Sequence, residues 1–295
     1  MKNEESKKIV MFPEFWDELT EKDWKDMLLL RQRLIDDPRE GVDVSDVRNE
    51  AARCLLLNRG LKTRASDDKY FLLVRQAGVK LDWLWEETES GKLELTFKTT
   101  YNLLPRWDRL IGPASHGSNL LFGEFKDAIT LCRAYDKAME AEPGEDHSPI
   151  LRQLAGLLYR NRDLKVKKHV RRLPYDYDGM EEQSKRGNRM PMWFVWGVYA
   201  WFSYFCEYLA TGIFIIDGEE VSFSPVFGGS KSSTDKQGTS LGLNDIAMTL
   251  AESDVFGGFE NVMHTPLMQV MMKLLHDRQQ ADRIEKEIKK NKNKK

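Results

Sequence analysis

The segment Gly112-Pro113-Ala114-Ser115-His116-Gly117, followed by Asn119 and then Glu124, gathers an imidazole, a hydroxyl and a carboxylate in one short stretch. These are the side chains that proton transfer and nucleophilic attack require. An enzyme centred on His116, with Ser115 and Glu124, is therefore one reading of the chain. Adjacent Ser and His do not make a triad by spacing, because a triad is a spatial arrangement, and no G-x-S-x-G nucleophile elbow is present. The simpler role for His116 is a hydrogen bond to loop backbone, or a cap on the helix that begins near Glu124.

Other chemistry-bearing patterns are weaker. Gly228 to Thr234 is rich in Gly, Ser and Lys, but a phosphate-binding loop needs Gly directly before its Lys and another five positions earlier; Ser230 and Pro225 stand there. No dinucleotide fingerprint accompanies it. His116, His147, His169, His264 and His276 lack the spacing of a metal site, so neither a metal nor a cofactor is expected. The stretch from Arg160 to Arg172 is the densest basic run. Its Arg160, Arg162, Lys165, Lys167, Lys168, Arg171 and Arg172 are the residues a nucleic-acid-associated protein would set against phosphates. No nucleic-acid-reading motif goes with them, and Asp176, Asp178, Glu181 and Glu182 just downstream offer an internal counter-charge.

The whole-chain balance is neutral in implication: 295 residues, 41% hydrophobic and 31% charged, with a formal net charge of −2. That composition buries a sizeable core and points to neither a strongly acidic nor a strongly basic partner. Cys54, Cys132 and Cys206 are widely spaced and odd in number, which argues against a disulfide framework or a zinc site and for a reducing, cytoplasmic setting. A charged start running into Phe12-Pro13-Glu14 lacks the apolar core of a signal peptide.

Helical periodicity organises most of the chain. Thr20 is placed to cap a helix through about Asp36 that carries Trp24, Met27, Leu28, Leu30 and Leu34; Ser45 begins a second helix ending at Gly60, and a third runs over about Asp67 to Ala77. Leu81, Trp83 and Trp85, a Ser90-Gly91 turn, then Leu93, Leu95 and Phe97 form a hairpin pattern. Residues 101–123 read as a long ordered loop, and helices follow from Glu124 to Ala141 and from Ser148-Pro149 onward. A second hairpin pattern turns at Asp217-Gly218, a short helix spans Leu243 to Glu252, and Thr265-Pro266 opens a final helix through Leu275 with a charged extension. The fold class expected is mainly α, a helical globular protein with two small β-hairpins, with α+β as the alternative. The expected divisions are an N-terminal helical bundle at 1–80, a central domain at 81–262 and a C-terminal helix and charged tail at 263–295.

The segment from Met192 to Ile216 has Glu207 as its sole charged residue and aromatic residues throughout. It is long enough to cross a bilayer, and Arg186 and Arg189 before it with Asp217, Glu219 and Glu220 after it match the charge asymmetry of a span. Glu207 would be costly in hydrocarbon, and the hairpin pattern from 213 shortens the helix. A buried core helix over 192–212 is the preferred reading, with a membrane contact disfavoured.

Several strings resemble uncharacterised bacteriophage and prophage proteins encoded among tail-morphogenesis genes: Tyr101-Asn102-Leu103-Leu104-Pro105 with Trp107, Gly112 to Gly117, Phe122-Gly123-Glu124-Phe125, Leu158-Tyr159-Arg160, and Ala251-Glu252-Ser253 with Val255-Phe256-Gly257. The resemblance carries no catalytic residue. It implies a protein of the host cytoplasm or the virion, a non-enzymatic tail-assembly accessory or chaperone that binds tail components.

Overall fold

The computed structural model describes residues 11–36, 44–61, 68–87, 93–165, 172–176, 178–227 and 243–292. The protein is mainly helical, with small antiparallel sheets of two or three strands. Two compact units divide it, Met1–Thr99 and Thr100–Lys295.

In the first unit, α1 (Glu21–Asp36), α2 (Val44–Asn58) and α3 (Asp68–Val79) precede the strands β1 (Trp85–Glu87) and β2 (Leu93–Leu95). Thr20 caps α1 as its position predicts: its hydroxyl accepts the Asp23 N–H at 3.2 Å, and the Asp23 carboxylate accepts the Thr20 N–H at 3.0 Å. Asp23 is fully buried and also takes hydrogen bonds from Asn58 and Arg59, so the same carboxylate that caps α1 ties it to the end of α2. That end is closed by Gly60 at φ 77°, with the Leu61 N–H returning to the Leu56 carbonyl. The hairpin belongs to this unit because its aromatic residues complete the helical core. Phe97 lies 4.9 Å from both Trp16 and Trp24, and Trp83 meets Trp16 edge-on at 5.6 Å. The first unit runs through Thr99 and so includes these rings. α3 buries only Val74, Ala77 and Gly78 and leaves Phe71, Leu72, Leu73 and Val79 exposed.

The second unit begins with two very short strands, β3 (Arg106–Trp107) and β4 (Leu110–Ile111), and a 3-10 turn at Ser115–Gly117, where the sequence suggests only a loop. α4 (Phe122–Ala141) and α5 (Ser148–Leu158) follow, then β5 (Arg160–Asn161), which pairs antiparallel with β4. α6 (Met180–Ser184) leads through the 3-10 turn Lys185–Arg189 into α7 (Met192–Thr211). The hairpin of β6 (Ile213–Ile216) and β7 (Glu219–Ser222) turns at Asp217 and Gly218, φ 52° and 86°, the left-handed pair that a tight two-residue turn demands. α8 (Ser224–Phe227), α9 (Leu243–Glu252), α10 (Phe259–His264) and α11 (Leu267–Lys292) complete the chain.

α5 is the hub of this unit, packed against α4, α6, α7 and the 185–189 turn. Its approach to that turn requires glycine on both sides: a Cβ on Gly156 would overlap the Ser184 carbonyl oxygen, and one on Gly187 would overlap that of Arg152. α7 is a core helix on one side only. Phe194, Val195, Val198, Trp201, Phe202, Phe205 and Leu209 are buried, while Glu207 is exposed, so the carboxylate needs no partner in the core. Aromatic rings, unlike Leu, bury one edge and leave another in water, and this is how a helix so poor in charge has a solvent side. Among the described residues no helix is long and apolar enough to cross a membrane. Of the α10 and α11 methionines, Met263 and Met271 are core and Met272 is exposed. Thr265 does not cap α11; its hydroxyl donates back to the Asn261 carbonyl at 2.8 Å and closes α10.

Candidate functional site: a buried arginine pair beside a cavity

The structure brings together Glu124 from the first turn of α4, Arg160 from β5 and Arg172, which pairs with Arg162 in an antiparallel bridge. Local sequence puts each in place. Leu121 is extended and α4 starts at Phe122, so Glu124 is its third residue; its carboxylate reaches back to the Leu121 N–H at 3.4 Å, neutralising the positive end of the helix. The start of α4 is pinned from outside by the Phe122 N–H to the Thr265 carbonyl and the Leu267 N–H to the Leu120 carbonyl. Arg160 follows directly on α5, whose last residue, Leu158, offers its carbonyl to Arg172.

Glu124 is completely buried and both its oxygens are committed. Oε1 accepts Arg172 Nη1 at 2.6 Å; Oε2 accepts Arg172 Nη2 at 3.1 Å and Arg160 Nη2 at 3.0 Å. Arg172 is bidentate on the carboxylate and further donates to the Leu158 carbonyl, the Asn119 carbonyl and the Asn119 Oδ1 at 2.8 to 3.0 Å. Arg160 is not so well provided. Its Nε and Nη1 are buried and find no acceptor among the described residues, and its guanidinium stands 5.5 Å from the centre of the Tyr175 ring. Burial pulls the Arg160 guanidinium down to about 10, opposed by the attraction of Glu124. Tyr175 is itself fixed by donating to Asp127 at 2.7 Å, and burial, followed by that carboxylate, pushes its phenol well up. Two guanidiniums share one carboxylate, leaving one positive charge over in the Glu124, Arg160 and Arg172 group.

Beside this group lies a cavity of about 210 Å³. Arg160 and Arg172 line it together with Ser118 and Asn119, and Leu120, Leu121, Leu173, Pro174 and Pro266 supply apolar wall.

The catalytic candidates are placed differently. His116 has φ 58°, accepts or donates at Nδ1 with the Thr100 hydroxyl at 2.7 Å, and gives its backbone N–H to the Thr100 carbonyl. Ser115 accepts the Asn102 N–H at 3.1 Å. Neither lines the cavity, and Glu124 is held by the arginines, so the three do not form one reacting centre. The glycines of this loop serve packing: a Cβ on Gly112 would strike the Tyr159 ring and one on Gly117 the Phe205 ring. Asn119 links loop to cluster, since its Oδ1 accepts both the Ala114 N–H and Arg172 Nη2.

Of the basic run, Arg160 and Arg172 point inward, Arg162 and Lys165 are exposed, and Lys167, Lys168 and Arg171 lie outside the described residues, as does the 228–234 loop. Among the described residues no group of His, Cys, Asp or Glu is placed to hold a metal. Sequence reasoning named Glu124, Arg160 and Arg172 in two separate hypotheses, and only folding joins them into one feature. No protein-family model, curated protein or solved structure matches the chain.

Proposed function

We propose that the protein works by binding, as a non-enzymatic interaction protein. The observation that carries this reading is the make-up of the buried polar centre. It offers N–H donors and positive charge, while the carboxylate that might serve as a base is already shared between two guanidiniums. Such a centre is suited to holding structure together, and its carboxylate is not free to act as a base. Phe71, Leu72, Leu73 and Val79, exposed on α3, are the kind of apolar surface that protein contacts use. The resemblance to tail-morphogenesis proteins supplies the setting, an accessory or chaperone of phage tail assembly. A nucleic-acid role would rest, among the described residues, on Arg162 and Lys165.

The test is cross-linking mass spectrometry on the tagged chain, co-expressed with the proteins encoded around it. Recurrent cross-links from one tail component to the chain, lost in Phe71→Asp/Leu72→Asp, are expected. A chain that elutes alone and gives no intermolecular cross-link overturns the reading, and tight binding to random DNA with a steep salt dependence replaces it with the nucleic-acid one.

A further inference from the structure

We propose that the outward face of α3 pairs with the same face of a second copy of this chain, as an antiparallel two-fold helix pair. The inference rests on the interaction reading and names the occupant of its apolar surface.

The first ground is that α3 is apolar on two opposite sides. Its inner side packs on α2: Val74, Ala77 and Gly78 are buried, and Gly78 lies against the α2 backbone at Arg48. At 3.6 residues per turn, Asp68, Phe71, Leu72, Arg75 and Val79 fall at i, i+3, i+4, i+7 and i+11 and make one stripe on the opposite side. A surface helix ordinarily sets charged and polar residues there. Here Phe71, Leu72 and Val79 are 63%, 57% and 70% exposed. Lys69 and Gln76 border the stripe on one flank, with Leu73 beyond them, so the apolar residues lie inside a polar rim.

The two charges on the stripe decide what covers it. Asp68 and Arg75 stand on either side of Phe71 and Leu72, both exposed and both without an ion pair among the described residues. A two-fold axis between Phe71 and Leu72 lays Phe71 on the partner's Leu72 and sets Asp68 opposite the partner's Arg75, and the symmetry repeats both contacts. A parallel pair would set Asp68 on the partner's Asp68 and Arg75 on the partner's Arg75, so charge selects the antiparallel arrangement. A patch that carries its own complement is what an isologous interface requires. The formal net charge of only −2 puts little whole-molecule repulsion between two copies.

Size sets the strength. A helix of 12 residues is about 18 Å long, and a helix pair of that length buries less than the roughly 1,200 Å² of a stable complex. The expected association is reversible, with a Kd of about 10–100 μM, and it leaves Phe71 and Leu72 open to competition from a tighter partner.

The experiment is sedimentation equilibrium of the full chain in low-salt buffer, from about 1 to 300 μM so as to span that Kd. The chains compared are the wild type, Asp68→Arg, Arg75→Asp and the exchange Asp68→Arg/Arg75→Asp. The wild type is expected to pass from one copy to two across the range. Either single change sets like charges across the two-fold axis twice over and should weaken pairing about tenfold or more, whereas the exchange rebuilds both ion pairs and should bring it back to within about threefold. An equimolar mixture of the two single variants should pair where neither does alone. Both positions are exposed, and circular dichroism confirms that the variants fold. The mass of one copy at every concentration, pairing unchanged by the single changes, or an exchange variant no better than the singles would each overturn the proposal. The interaction reading keeps its own readout. A chain that never pairs but cross-links to a tail component removes self-pairing alone; one that pairs and cross-links to no other protein supports self-pairing and removes the tail component.

Discussion

Replacing Glu124 by Gln removes the charge that two buried guanidiniums share while keeping the shape of the side chain. Breaking a buried ion pair by removing one partner costs about 3–5 kcal/mol, because the remaining charge is left uncompensated, and here two charges are left. Arg172→Met should cost a similar amount. It strands the Glu124 carboxylate with a single partner and leaves the Leu158 and Asn119 carbonyls without that donor. Arg160→Met should behave differently. It gives up one charge-assisted hydrogen bond of about 1.5–3 kcal/mol, but it also removes two buried unpartnered donor atoms that cost about 1–3 kcal/mol each, so the loss is offset or more than offset. The cluster thus predicts an order, with Glu124→Gln and Arg172→Met severe and Arg160→Met mild, although all three residues are buried and charged. Urea unfolding followed by amide exchange in α4 and α5 measures it, since those helices report on the second unit alone. Glu124→Gln within about 0.5 kcal/mol of the wild type, or Arg160→Met costlier than Arg172→Met, would refute the charge accounting.

Further outcomes follow from other features. Gly156→Ala and Gly187→Ala each force a methyl into a facing backbone carbonyl that cannot move aside, and should cost about 1–3 kcal/mol or more, seen as a lowered Tm; unchanged melting would mean that α5 and the 185–189 turn do not approach as described. Burial pushes the Cys132 thiol well up, so it remains protonated at mildly alkaline pH and should react with a disulfide reagent far more slowly in the native chain than in urea; rapid native labelling of Cys132, read by peptide mass spectrometry, would contradict that burial. Glu50 is held below its ordinary value of 4.5, first by its hydrogen bond to Arg53 and also by that to Arg33. A depressed carboxylate stabilises above its unfolded value and loses that contribution as pH falls through the folded one. Glu50→Gln should therefore cost about 0.2–1 kcal/mol at neutral pH and nothing in acid; a cost that persists in acid would show that its origin is not electrostatic.

Local signals carried the elements well wherever the chain's own chemistry closes them. Thr20 and Asp23 cap α1, Gly60 ends α2, and Asp217-Gly218 turns the second hairpin, each through contacts between residues a few positions apart. They failed where the partner is distant. Ile111 sits in a two-residue strand too short for alternation to register, and its partner Arg160 lies far along the chain. The basic run shows the limit most plainly. In sequence it is seven like charges suited to a solvated face, and only the position of Glu124, 36 residues before Arg160 and 48 before Arg172, draws two of them inside.

By itself the sequence determined that the chain is mainly helical with small hairpins, because hydrophobic period, caps and turn residues are local and additive. It also contained every residue of the polar centre. What tertiary structure decided is which of them meet: the pinning of α4 by Thr265 and Leu267, the turn of the chain after α5 and the bridge between Arg162 and Arg172 set two guanidiniums on one carboxylate beside an open cavity. Charge balance inside a protein is a property of space rather than of chain order, since desolvation makes each pairing matter only at contact distance.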